Sequence, residues 1–362
     1  MAMRGLSQLT AGIPLRVIIA TFALGGAGGL LAMAAGLPLA VLLGSMVATA
    51  VAPMLGLRVF GQRPAVPQKW RFVLVPVIGV AIGAGFPADF LTQARQWWVT
   101  MAALVLFIPL AHALGYGLFR RVGKLSPPTA YYAAMPGGFI ESLDMGEKAG
   151  ADMPLLIMLQ FLRLILCIVM IPIGFSIAEG HAVGSSAGMV LGTGAPLTAL
   201  DVVVMVALAG SGWFIAAKLG MPAAMLSGPL LLSGLAHATG LTEAAPPGWS
   251  ILVTQWVMGT SLGVRLAGFT KAQAGLAGLL STLNVSLLLL IALGVALLLT
   301  TPVGEPVSAI ILAFAPGGVS EMSLVALSLH VSAVYVSIHH IARIVLTVIF
   351  ARYGQRFITP DT

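Results

Sequence analysis

Charge is what this chain has least of: only 8% of its 362 residues are Asp, Glu, Lys or Arg. Water-soluble domains carry about 25%, so an ordinary solvated surface is excluded. Cysteine is nearly missing. The one copy, Cys167, lies inside an apolar run, which leaves neither a disulfide framework nor a thiolate metal site. Histidine is sparse and scattered over six positions: His112, His181, His237, His330, His339 and His340. Copper oxidation chemistry needs converging imidazoles, and only the last two are local. Neighbouring helical residues point to different faces, so His339 and His340 suit hydrogen bonding or a proton relay better than a shared metal. The sequence calls for no catalytic residue, metal or cofactor, and leaves no room for a cytoplasmic nucleic-acid-binding domain.

Apolar length is what the chain has. Hydrophobic residues make up 59% of it, and uncharged runs such as Val17–Leu37, Val99–Leu118 and Leu276–Leu299 reach the ~20 residues that cross a bilayer core. The expected class is an all-α polytopic membrane protein with the lipid bilayer as its main partner. The first run has no evident small-residue cleavage site and is read as a retained span. The net charge of +7 sits in short basic clusters between apolar runs, a topology signal rather than a nucleic-acid footprint.

The chain is also one motif written twice. GLPLAVLLG (36–44) aligns with GMPAAMLSG (220–228) at an offset of 184 residues. VIGVAIG (77–83) aligns with VMGTSLG (257–263) at 180, as do PGGFIE (136–141) with PGGVSE (316–321), and Arg163 with Arg343. Two repeats follow, over residues 12–175 and 198–352. Full spans are expected near 12–34, 38–57, 70–86, 97–118 and 153–175, then 198–218, 220–240, 249–267, 273–299 and 331–350. The PGG segments read as broken spans or as re-entrant hairpins. Placing Arg58, Arg63, Lys69, Arg71, Arg120, Arg121 and Lys124 on the cytoplasmic side favours hairpins. Each repeat then has about five transmembrane helices plus a broken hairpin, the two repeats have inverted topology, and both termini are cytoplasmic.

Proline and two glycines end a helix and let the backbone turn. Irregular backbone survives at membrane depth only where protein or a wet cavity covers it. The candidate binding residues are therefore Pro136, Gly137, Gly138 and Glu141 with Arg163, and Pro316, Gly317, Gly318 and Glu321 with Arg343. Arg163 sits ten residues into the span that begins near Met153, about 15 Å deep, so Glu141 is expected to meet it near the midplane. Glu321 and Arg343 repeat that relation. The pairs serve either to pin the hairpins or to frame a ligand site, since ionisable groups inside a membrane are functional by default.

Other motifs have plainer readings. GGAGG (25–29) lacks the GK[ST] of a phosphate loop and reads as close helix packing. Asp144 and Glu147 read as solvated charges, and Asp201 as a helix cap. Trp70, Trp97, Trp98 and Trp249 fall at span ends, as interfacial aromatics do.

PGGFIESLDMGEKAGADMP followed by FLRLILCIV, and PGGVSEMSLVALSLHVSAVYV followed by IHHIARIV, resemble the AbrB family of bacterial inner-membrane proteins. The resemblance spans roughly residues 12–352 as two tandem copies, although Phe139-Ile140-Glu141-Ser142 departs from the family's Leu-Ser-Glu-Met. It implies an inner-membrane location and a link to regulation of gene expression through a membrane protein, not the soluble transition-state regulator of the same name. Members are also labelled ammonia monooxygenase, a label the scattered histidines argue against. The leading expectation is a non-enzymatic secondary transporter of a small, anionic solute, with Glu141 or Glu321 carrying a coupling proton. The alternatives are a membrane regulator or sensor, then a monooxygenase. The sequence is compatible with a homo-oligomer.

Overall fold

A computed structural model describes residues 10–86, 92, 94–180, 197–266 and 271–357. His181 and both chain ends, named above, lie outside them. Among the described residues there are fourteen α-helices and no strand. The first seven are α1 Leu15–Ala34, α2 Ala40–Met54, α3 Trp70–Gly83, α4 Trp98–Arg121, α5 Pro127–Ala133, α6 Phe139–Lys148 and α7 Met153–Glu179. The next seven repeat the order: α8 Ala199–Lys218, α9 Ala224–Ala238, α10 Gly248–Leu266, α11 Lys271–Val303, α12 Val307–Phe314, α13 Val319–Ser328 and α14 Ala333–Gly354.

Six of these helices are long and apolar enough to cross a membrane: α1, α4, α7, α8, α11 from Gly275, and α14. The sequence led us to expect ten full spans. The difference lies in α2, α3 and α9, which have 15, 14 and 15 residues and so rise only about 21–23 Å, and in α10, which at 19 residues is long enough but is made more polar by Thr254, Gln255, Thr260, Ser261 and Arg265. The shortening has a local cause at α2 and α9. Each follows a G-x-P turn whose last residue, Leu39 or Ala223, is left-handed at φ 45° or 50°, so the helix starts later than the apolar run does. A left-handed conformation costs an L-residue about 1–2 kcal/mol. Ala223 is exposed, and Ala223→Gly is therefore expected to stabilise the protein by about 0.5–1 kcal/mol, read as a higher Tm in detergent.

The chain divides into two compact units. The first comprises Met1–Phe86, Pro172–Gly268 and Leu327–His330, and so holds α1–α3 and α8–α10. Each half of the chain contributes three helices to it, with similar pairings: α1 packs on α2 as α8 does on α9, and α2 on α10 as α9 does on α3. Glycine makes these approaches close enough. A methyl group at Gly79 would lie 2.8 Å from Leu226 O, and one at Gly83 would lie 2.7 Å from Leu230 O. Gly259 and Gly263 meet Leu42 O and Met46 O in the same way. GGAGG is packing, as expected: Gly25 faces Thr260, Gly26 faces Trp256, and Gly28 faces Gly44.

The second unit comprises Pro87–Ile171, Phe269–Ala326 and Val331–Thr362, with α4–α6, most of α7, α11, α12, most of α13, and α14. One core gathers Phe119, Leu125, Tyr131, Tyr132, Met135, Leu156, Leu159, Leu280 and Ala351 around the short α5. Both PGG motifs, both glutamates and both arginines belong to this unit.

Candidate functional site

Each PGG motif separates two short helices. α5 starts on Pro127 and Pro128 after Ser126, residues that suit a first turn, and it ends before the break at Ala134–Gly138. Gly138 turns the chain with φ 64°, a conformation open to glycine at little cost. α6 then runs back. A methyl group at Gly146 would sit 3.4 Å from Tyr132 Cβ, whereas a straight helix would hold those residues about 21 Å apart. Thr129 Oγ1 also accepts from the Asp152 N–H at 2.9 Å. The first PGG segment is a hairpin. The second has the same parts, α12, a break and α13.

The arginines do not pair with the glutamates. Arg163 Nη1 donates to Met135 O. Arg343 Nη1 donates to Ala315 O, and its Nη2 donates to Gly317 O at 2.6 Å. Among the described residues no carboxylate comes within ion-pairing distance of either guanidinium. The reason is the sign of each helix end. α5 and α12 stop at the breaks with carbonyls that lack a partner, a partial negative end that attracts the arginines. The glutamates lie in the first turns of α6 and α13, at partial positive ends. Glu141 Oε2 lies 3.2 Å from where a Gly138 Cβ would stand, and the Glu321 carboxylate covers Gly318 likewise. Each arginine thus binds a carbonyl at the break of its own repeat, and a carboxylate lies close to each positive end proposed for a ligand.

That leaves two buried cations. Arg163 and Arg343 are 2% and 1% exposed, and both reach the first break, Arg163 at Met135 O and Arg343 at Gly137 two residues on. Nε of both has no hydrogen-bond partner. Neither does Thr347 Oγ1, one turn after Arg343 on α14. Thr347 Oγ1 and Arg343 Nε point at the same place: a Cβ at Gly137 would lie 3.2 and 3.5 Å from them. The first break is therefore brought against the last helix of the second repeat. The offset of 180 residues that pairs the arginines also pairs Thr347 with Cys167, which is buried one turn after Arg163 on α7.

A second matched pair was missed in the sequence. Gln160 Nε2 donates to Tyr132 O at 2.6 Å, and His340 Nε2 donates to Leu312 O at 2.8 Å. Both residues stand three before an arginine, and both hold the carbonyl four residues before a PGG proline. Aligning the repeats position by position would have found them. His339 turns elsewhere, with Nδ1 on Tyr335 O at 2.8 Å and Nε2 on Thr100 Oγ1 at 2.9 Å. The two histidines hydrogen-bond in different directions, as their spacing implied.

The minor readings divide. Asp201 and Thr198 form a capping box on α8, and Asp144 pairs with Lys148 on an exposed face. Trp98 and Trp249 are 68% and 67% exposed, as interfacial side chains are. Trp97 is not interfacial: it is 4% exposed, packs edge-on against Tyr335 and donates to Glu305 Oε1 at 3.2 Å. Its indole nitrogen serves a carboxylate in the α11–α12 connection. Burial pushes the Glu305 carboxyl up from its ordinary range, and the Trp97 bond pulls it back.

Long apolar helices, breaks roofed by protein and buried unpaired cations define a polytopic membrane protein. The family model described as "Transition state regulatory protein AbrB" matches residues 42–359, and the chain belongs to the AbrB family. It is 23% identical over 343 residues to "Uncharacterized protein YhjN" of Bacillus subtilis (strain 168), covering 90% of this chain and 89% of that protein. It is also 23% identical over 299 residues to "Putative regulator AbrB" of Escherichia coli (strain K12), covering 78% and 80%. No solved structure matches it.

Proposed function

We propose that this protein is a secondary transporter of a small anionic solute, held between Arg163 and Arg343 beside Gly137 and Thr347. One observation carries the reading: two buried guanidiniums meet the same first break, Arg163 at Met135 O and Arg343 Nε beside Gly137, with both Nε atoms free and no carboxylate partner among the described residues. Two buried like charges are costly, and an anion between them removes that cost. Ionisable groups inside a membrane mark ligand paths, and matched repeats with broken helices are the common build of secondary transporters. The two repeats are inverted in this reading, and both chain ends face the cytoplasm of a bacterial inner membrane, following the basic loops. Pro136, Gly137, Gly138, Pro316, Gly317 and Gly318 shape the site, and Glu141 and Glu321 hold the second half-helices in place. Nothing in the site calls for an enzyme.

The test is tracer uptake of acetate, nitrate, sulfate and phosphate into proteoliposomes, which reads electroneutral and charge-moving transport alike. At least one anion is expected to enter with the wild type and not with Arg343→Lys, which keeps the charge but not the planar fork. A second reading, a membrane sensor, rests on the regulator named among the relatives. It would gain if an anion stabilised the protein without any uptake or exchange.

A further inference from the structure

Beside the guanidiniums the two repeats differ in the residue that holds the half-helix carbonyl. Gln160 and His340 make the same hydrogen bond to the half-helix before the break. The remaining acceptor of Gln160, Oε1, has no partner. The remaining nitrogen of His340, Nδ1, lies 3.0 Å from Arg343 Nη2. The tautomer follows from the partners. Leu312 O can only accept, so Nε2 carries the proton, and Arg343 can only donate, so Nδ1 accepts. His340 is thus a neutral imidazole bound through a lone pair to a buried cation.

On the proposed anion site, we infer that His340 is the proton-coupling residue: it takes a proton at Nδ1 when an anion binds between Arg163 and Arg343. The step balances simply. A proton from bulk water goes onto Nδ1, the Nη2–Nδ1 hydrogen bond is lost, and Nη2–H is freed to turn to the anion. Without an anion this proton would face Arg343 Nη2–H and the field of Arg163. With one, the added negative charge offsets the added positive charge. The titratable and charged groups around His340 are Arg343 and His339 on α14 and Arg163 on α7. The half-helix α12, VSAIILAF, brings only a carbonyl. Arg163 has no such switch, because a glutamine does not titrate. Coupling is therefore built into the second repeat alone, and one proton accompanies each anion.

Glu141 or Glu321 was the carrier expected from sequence, and the one in the second repeat is Glu321. It is 6% exposed, lies over Gly318 and accepts from Ser320 Oγ at 2.9 Å, a capping position away from both arginines.

Calorimetric titration of the purified protein with acetate, nitrate and sulfate, which stay ionised near neutral pH, in buffers of different ionisation enthalpy, counts protons taken up by the protein. The variants are His340→Gln, which copies the other repeat and so keeps the bond to Leu312 O, and Glu321→Gln. Wild type is expected to take up about one proton per anion near pH 6.5, with affinity rising by up to ~tenfold per unit fall in pH. His340→Gln is expected to take up about none, with a flat pH profile, while Glu321→Gln keeps the proton. Gln160→His is expected to raise the count above one. Binding with an unchanged proton count in His340→Gln, or a count lost only in Glu321→Gln, overturns the role of His340 and leaves the anion site standing. If none of the probe anions binds the wild type between pH 5 and 8, the anion site itself falls, and this inference with it.

Discussion

Arg343→Ala is expected to abolish anion-dependent stabilisation and to weaken the fold more than Arg163→Ala does. Arg343 donates to Ala315 O and Gly317 O and to His340, and removing it strands two buried carbonyls at about 1–3 kcal/mol each. The bond of Arg163 to Met135 O puts a smaller penalty, about half of that, on its loss. Two effects therefore separate in one thermal-shift experiment. The unliganded Tm falls further for Arg343→Ala, while the shift caused by a bound anion disappears in both variants. Lysine at either position keeps a positive charge but one compact donor group in place of a planar fork. It is expected to recover part of the stability and little of the anion response. An undiminished anion shift in Arg343→Ala would place the ligand elsewhere.

Gly212→Ala is expected to be as damaging as a charge deletion, and Gly210→Ala harmless, although the two lie on the same helix. A methyl group at Gly212 would fall 2.7 Å from Gly228 C and from Pro229 N, whereas one at Gly210 would meet nothing within 4 Å. The obstacle is backbone, which cannot step aside as a side chain can. Overpacking costs about 1–3 kcal/mol and sometimes more, and here α8 must move away from α9. Gly210→Ala gains up to about 1 kcal/mol of helix propensity. Comparing Tm and the monodisperse yield of the two variants in detergent checks this. Equal behaviour would mean that α8 and α9 are not held by glycine contact.

Much of this was legible in the chain. The offset of 180 residues pairs Gly79 and Gly83 with Gly259 and Gly263, the offset of 184 pairs Leu42 and Met46 with Leu226 and Leu230, and each pair of glycines lies against those carbonyls in the other half of the chain. Helix breaks at PGG followed from proline and glycine alone. What failed was the pairing of charges. Sequence spacing said that Glu141 and Arg163 could reach one depth, and opposite charges invited a bond. It could not show that α5 ends in bare carbonyls and α6 begins in bare N–H groups, each a competitor of the right sign. Trp97 was misplaced for a related reason. Its position at a helix start looked interfacial, and its tertiary partners Glu305 and Tyr335 are more than 200 residues away. Gln160 was invisible as a lone polar residue in an apolar helix, and gains meaning only beside His340.

Crystals grown or soaked with selenate or bromide would locate an anion by its anomalous scattering, whatever the natural solute is. A peak within hydrogen-bonding reach of Arg163 Nε and Arg343 Nε, beside Gly137 and Thr347, and absent from Arg343→Ala crystals, is the expected result. Well-diffracting crystals with ions only on the surface, and the two buried guanidiniums unliganded, would contradict the anion site and return those arginines to a purely structural role.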